Sequence, residues 1–172
     1  MADTLSAQAK GHGGMAQPLP VVSLNRITGF LEALASPAYA GHAELAKIAE
    51  PLVLEINDLF PIADALHILE FVELKASTIK ITAAGRVFVQ SDTDQRKRLF
   101  REHLLRFVPL AAHIRQVLDE RQGHEAPRGR FELELQDHLT PNDADSTLRA
   151  IIGWGRYAEL FSYDDPARTF AL

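Results

Sequence analysis

Apolar residues recur along this chain with two different periods, and the alternation between them lays out its elements. Ile27, Phe30, Leu31 and Leu34 fall at i, i+3, i+4 and i+7, one stripe of an amphipathic helix. Ser36-Pro37 and Gly41 end it. Leu45, Ile48 and Ala49 continue the period on a short second helix that Pro51 stops. Asp58 is the expected N-cap of a third helix, with Pro61 in its first turn, where a missing N–H costs little. Ile62, Leu66 and Leu69 give that helix its buried face. The period then shortens to that of a strand. Val72 and Leu74, then Ile79 and Ile81, alternate with Glu73 and Lys80 around residues 75–78, which predicts a hairpin with one buried face. Thr82 caps the next turn, and Val87 and Phe88 are expected to fold back onto the core.

From Asp92 the texture changes. Leu99, Phe100, His103, Leu104 and Phe107 line one face of a helix whose other positions carry Arg96, Lys97, Arg98, Arg101 and Arg106. Pro109 breaks or kinks it, and Ile114, Val117 and Leu118 form a further stripe up to Gly123. Residues 124–130 (HEAPRGR) have a loop composition, and Phe131, Leu135 and Leu139 mark another helix. Thr140-Pro141 followed by Asp143 is a helix start: capping hydroxyl, proline at the first position, acid in the first turn. Leu148, Ile151 and Ile152 supply its inner face, and residues 160–172 predict a closing hairpin turned by DDPA. The second half thus repeats the plan of the first.

That order predicts a mainly α chain with small β-hairpins, an α+β class built as tandem winged-helix modules. The expected division is a disordered lead or linker over residues 1–20, a first module over 21–91, and a helical connector with a second module over 92–172. At 172 residues the chain fits one domain or two small ones. The absence of cysteine excludes a disulfide framework, a thiolate metal site and a cysteine nucleophile, and agrees with a reducing compartment. No apolar run approaches the roughly 18–20 residues needed to span a bilayer, and residues 1–17 have no hydrophobic core of a secretory signal.

A winged helix suggests DNA first, and the charges argue against it. Residues 44–73, which hold the second and third helices, carry seven acids (Glu44, Glu50, Glu55, Asp58, Asp64, Glu70, Glu73) against Lys47 alone. Such a surface repels a phosphate backbone, and the candidate reading face of Asp64, His67 and Glu70 offers no arginine or asparagine to a base edge. The overall net charge of −5 points the same way. The basic run Arg96, Lys97, Arg98, Arg101 and Arg106 is either a solvated helix face balanced by nearby acids or a docking surface for an acidic partner or anionic lipid. Trp154, Arg156 and Tyr157 add a candidate aromatic and basic contact. No catalytic constellation emerges: there is no G-x-x-x-x-G-K-[ST], no H-E-x-x-H, and 153–155 (GWG) lacks the rest of a dinucleotide fingerprint. His12, His103 and His113 have no partner at metal-ligand spacing, and Asp164-Asp165 serve a tight turn. Catalytic, cofactor-binding and metal residues are therefore expected to be none.

With those stretches laid out, the chain resembles the AAA-associated C-terminal domain found after the nucleotide-binding domain in ATP-binding subunits of ABC importers of the nitrate/sulfonate/taurine class. The resemblance runs from about Leu19 to the end, carried by LPVVSLNRITGFLEAL, ELAKIAEPLVLEINDLFPIADALHILEFVEL, the R-K-R-L-F run and W-G-R-Y-A-E-L-F-x-Y-D. It implies a non-catalytic, regulatory domain on the cytoplasmic side of a transporter, partnered by an ATPase domain or subunit and reaching the membrane only indirectly. ATP hydrolysis would belong to a P-loop domain outside this sequence, whether the chain is a C-terminal piece or a freestanding homologue. A homodimer is left open.

Overall fold

A computed structural model describes residues 14–172. Residues 1–13 of the expected lead, His12 among them, lie outside the described residues. Of the rest of that stretch, Ala16 and Leu19 are buried, and the Leu19 N–H donates to Thr147 Oγ1 at 3.2 Å.

The described residues are mainly helical, with two small antiparallel sheets. They divide into two compact units, one of residues Pro20–His103 and one of Leu104–Leu172 with the segment up to Leu19.

In Pro20–His103 the elements are α1 (Leu24–Ala35), β1 (His42–Glu44), α2 (Leu45–Ala49), α3 (Ile56–Ile68), β2 (Val72–Lys75), β3 (Thr78–Ile81), α4 (Ala83–Gln90) and most of α5 (Thr93–Phe107). Helix α1 buries the stripe its sequence announces, with Ser23 as N-cap. Helix α3 starts earlier than expected. Glu55 is its N-cap, so Asp58 sits inside the first turn, where it complements the helix dipole, and Pro61 falls in the second turn. There Pro61 has no N–H to offer the Asn57 carbonyl four residues back. The helix ends in a Schellman arrangement: the Phe71 N–H donates to the Leu66 carbonyl at 2.9 Å and the Glu70 N–H to that of His67 at 3.0 Å, with Glu70 left-handed at φ 61.

Strand β1, three residues long, was not expected from the sequence. It pairs with β3 in the order β1-β3-β2, placing Ala43 opposite Ile79. This ties the start of the helix pair to the end of the hairpin. Phe71, wholly buried where α3 turns into β2, gathers the core: its ring lies 5.2 Å from Phe88, 6.2 Å from Phe100 and 4.5 Å from the stacked His103 imidazole. Phe88 folds back as expected, whereas Val87 is 52% exposed, because neighbouring residues on α4 cannot share one face.

The second unit repeats this order with α6 (Pro109–Glu120), β4 (Glu125–Pro127), α7 (Arg128–Gln136), α8 (Pro141–Tyr157), β5 (Ser162–Asp164) and β6 (Thr169–Ala171), its sheet running β4-β6-β5. The stretch read as a loop, 124–130, holds β4 and the first turn of α7 instead. Thr140 caps α8 through the Asp143 N–H at 3.1 Å, with Pro141 at its start. The end of α8 copies the end of α3: Leu160 N–H to Gly155 carbonyl at 2.9 Å, Glu159 left-handed at φ 56. Asp164 Oδ1 accepts the Ala167 N–H at 3.0 Å and so shapes the closing turn.

Two glycines separate packing from propensity. A Cβ on Gly85 of α4 would collide with the Phe71 carbonyl oxygen and lie 2.7 Å from Ile81, whereas one on Gly153 of α8 meets nothing within 4 Å. We expect Gly85→Ala to cost about 2–3 kcal/mol through overpacking. Gly153→Ala should instead stabilise by about 0.5–1 kcal/mol, because glycine is a poor residue inside a helix. Denaturant melts of the two variants check the opposite signs.

Candidate functional site

The basic helix α5 opens with a reciprocal cap. Asp92 Oδ1 accepts the Gln95 N–H at 2.8 Å, and Gln95 Oε1 accepts that of Asp92 at 3.2 Å. Its cations then face different ways. Arg96 turns inward: Nε donates to the Phe88 carbonyl at 3.0 Å, Nη2 to that of Val89 at 2.8 Å, and Nη1 to Glu32 at 2.8 Å. Its guanidinium also lies 5.2 Å from the Phe88 ring centre. Arg96 therefore clamps the end of α4, satisfying carbonyls that the helix leaves open, and presents little charge outward. Arg98 and Arg106 are exposed, Lys97 and Arg101 half-buried, and Arg106 lies over the Phe107 ring at 5.1 Å.

The other candidate contacts sit on α8. Trp154 presents no surface at all, being wholly buried among the core residues of its unit. Tyr157 is half-buried. Arg156 is partly exposed, but Nη2 donates to the Tyr163 carbonyl at 2.6 Å and to Asp165 at 3.0 Å, with the guanidinium over the Tyr163 ring at 5.4 Å. It fastens the end of α8 to the closing hairpin. A cavity of about 550 Å³ lies beside it, lined by Arg115, Leu160 and Leu172 among others. Arg115 in turn donates to the Leu160 carbonyl at 2.7 Å.

Buried Arg128 was overlooked within the supposed loop. It pairs with Glu132 at 2.7 Å and with the Asp145 carboxylate, bracing α7 against α8. His113 meets Glu134 at 2.5 Å and the edge of Phe131, and His103 meets the Leu69 carbonyl at 2.6 Å. Among the described residues no group of three metal-ligating side chains comes together, and no helix is long and apolar enough to cross a membrane.

The acids of residues 44–73 all lie on the outside. Alongside them, α3 exposes two large apolar side chains that the sequence reading did not single out, Ile56 at 54% and Phe60 at 56%. A groove of about 590 Å³ runs beside Phe60 toward Leu45 and Leu74, and Asp64 supplies the charge among its lining residues. The signal for this was present. The stretch INDLFPIADALHI has more apolar residues than one face can take, and Ile56, Phe60 and Asp64, at four-residue spacing, fall off the buried stripe of Leu59, Ile62 and Leu66.

Each unit sets its helices against a small three-stranded antiparallel sheet, in the same element order. By sequence the chain belongs to the family described as the C-terminal AAA-associated domain, which it matches over residues 46–164. No curated protein and no solved structure matches it. Membership makes it an accessory module of AAA-type proteins.

Partial burial of the Asp64 carboxyl raises its pKa above the ordinary 3.8, while attraction to His67 pulls it back a little. The folded chain then holds this proton at pH values where the unfolded chain has lost it. Stability contributed at low pH is lost as pH rises through that window, and the ionised form costs stability above it. Asp64→Asn should therefore melt higher than wild type at pH 7, with the gap closing as pH falls toward 3.8; thermal melts across pH check this.

Proposed function

We propose that this chain is a non-catalytic accessory or regulatory domain of an ABC-type importer of the nitrate/sulfonate/taurine class, acting on the ATP-binding subunit through protein contacts. The observation that carries the reading is the family match over residues 46–164, with a description that already couples the domain to AAA-type proteins. The transporter class comes from the resemblance of the sequence strings quoted above. In this reading the modules over 21–91 and 92–172 are winged helices, which the repeated order helix, strand, two helices, hairpin supports. The domain works at the cytoplasmic face and needs no cofactor, and hydrolysis resides in the P-loop domain it serves.

Surface charge supports protein over nucleic acid as partner. The helix that would enter a major groove, α3, exposes Asp58 and Asp64, with exposed Glu70 just past its end, and phosphate contacts require the opposite sign. The alternative reading, a winged-helix transcriptional regulator, predicts a mobility shift with duplex DNA that strengthens as salt is lowered. We expect no such shift.

Exposed Arg98 and half-buried Arg101 of α5 supply one contact. The double variant Arg98→Glu, Arg101→Glu should lower association with the cognate ATP-binding domain at least tenfold in a pull-down titration while leaving the circular dichroism spectrum unchanged. Undiminished association would remove this surface from the reading.

A further inference from the structure

The groove beside α3 has the make-up of a binding site that its counterpart in the second unit lacks. Its walls are apolar, from Pro20, Leu45, Phe60, Pro61 and Leu74, and at about 590 Å³ it is large enough for one or two bulky side chains. The apolar surface continues past it. Ile56, one turn before Phe60, is 54% exposed, and Val21, which shares a shallow depression with Pro61 and Asp58, is 53% exposed. From Ile56 to Asp64 the strip runs about 12 Å along α3 at 1.5 Å per residue, the length of two turns of a helix laid against it. On α8, the outer positions are instead polar and matched: Arg149 pairs with Asp145 at 3.2 Å, and Gly153 and Arg156 follow. Shared fold does not account for the exposed pair on α3.

The charged side chains Glu55, Asp58 and Asp64 along the strip are acidic, and Arg26 lies at its edge, in the depression by Val21. Among the described residues no ion pair engages Asp64 or Glu55, and Asp58 has only a long contact of 3.9 Å to Arg26. Asp64 stands in the groove wall itself, where an incoming ammonium or guanidinium would compensate a carboxylate that the apolar walls desolvate. An anionic membrane or a duplex would be repelled by the same acids.

We propose that this groove seats a cationic amphipathic helix of a protein partner, its large apolar residues against Phe60, Leu74 and Ile56 and its Lys or Arg side chains on Asp64 and Glu55. The inference rests on the reading of the chain as a module that works through protein contacts, and it assigns one such contact to a place and a chemistry. Recognition follows the helix-in-groove mode, with apolar anchors at helical spacing and charge setting orientation and partner choice.

The test uses the full chain and a fluorescein-labelled amphipathic peptide of leucine and lysine at helical spacing, with an equal-length leucine and glutamate peptide as control. Anisotropy should show saturable binding of the lysine peptide and none of the glutamate peptide. Phe60→Ser and Asp64→Lys should each weaken binding at least tenfold. Glu50→Lys, which changes net charge by as much as Asp64→Lys but lies outside the groove, should weaken it less than threefold. Phe60 is exposed, so Phe60→Ser should keep the wild-type melting temperature. Equal losses from Glu50→Lys and Asp64→Lys, or no loss from Phe60→Ser, would overturn the proposal, as would failure of the wild-type chain to bind the lysine peptide. Failure of the wild-type chain to associate with the ATP-binding domain in the pull-down, with peptide binding at the groove intact, would instead sink the transporter reading and leave the groove standing.

Discussion

Each unit hangs on the pairing of one very short strand. Strands β1 and β4 have three residues apiece, yet each lies against a hairpin's inner strand, which begins more than thirty residues later. The two pairings are bracketed by equivalent backbone bonds: Leu45 N–H to Ser77 carbonyl and Ile81 N–H to Gly41 carbonyl in one, Arg128 N–H to Arg168 carbonyl and Leu172 N–H to His124 carbonyl in the other. A hairpin alone has marginal stability in water. Joined by a third strand and laid over apolar helix faces, it closes a core around Phe71 in one case and around Phe131 and Phe170 in the other. The helix pair then has a fixed entry and exit, and its outer side is left for whatever the surface residues dictate.

The helices were legible because their apolar residues recur at helical spacing over two turns or more, as Ile27, Phe30, Leu31 and Leu34 do. The hairpin strands were legible by alternation. Strands β1 and β4 were not, since His-Ala-Glu and Glu-Ala-Pro each offer one small buried alanine, too little for any periodic signal. Their existence depends on a distant partner, which local pattern cannot carry. The same limit governed the side chains. Nothing in R-K-R distinguishes Arg96 from Arg98, and only the geometry of the α4 end turns the first inward. Trp154 resembled a contact residue by type and is core by position. Phe60 went the other way, an apolar residue on an apolar helix that the fold leaves outside.

The duplication sharpens the functional argument. Two units share element order, sheet order and the left-handed helix ends at Glu70 and Glu159, so features common to both speak of fold. What differs between them is a better guide to use. On α7 and α8 of the second unit the arginines are matched, Arg128 with Glu132 and Asp145, Arg130 with Glu134, Arg156 with Asp165, Arg149 with Asp145. In the first, acids and large apolar side chains stand together on the solvent side of α3. The scaffold is shared and the faces diverge, within a chain that belongs to the C-terminal AAA-associated domain family.

The inward turn of Arg96 has a bearing on how the basic helix behaves in salt. A partner approaching α5 meets fewer cations than the run of letters suggests, because one guanidinium is already neutralised by Glu32 and held by two carbonyls. Ionic strength acts on charges that face solvent and much less on those that are shielded. The salt sensitivity of any association through this helix therefore counts its outward cations alone, and a scan that neutralises residue 96 along with its neighbours would register a loosened fold as a lost contact.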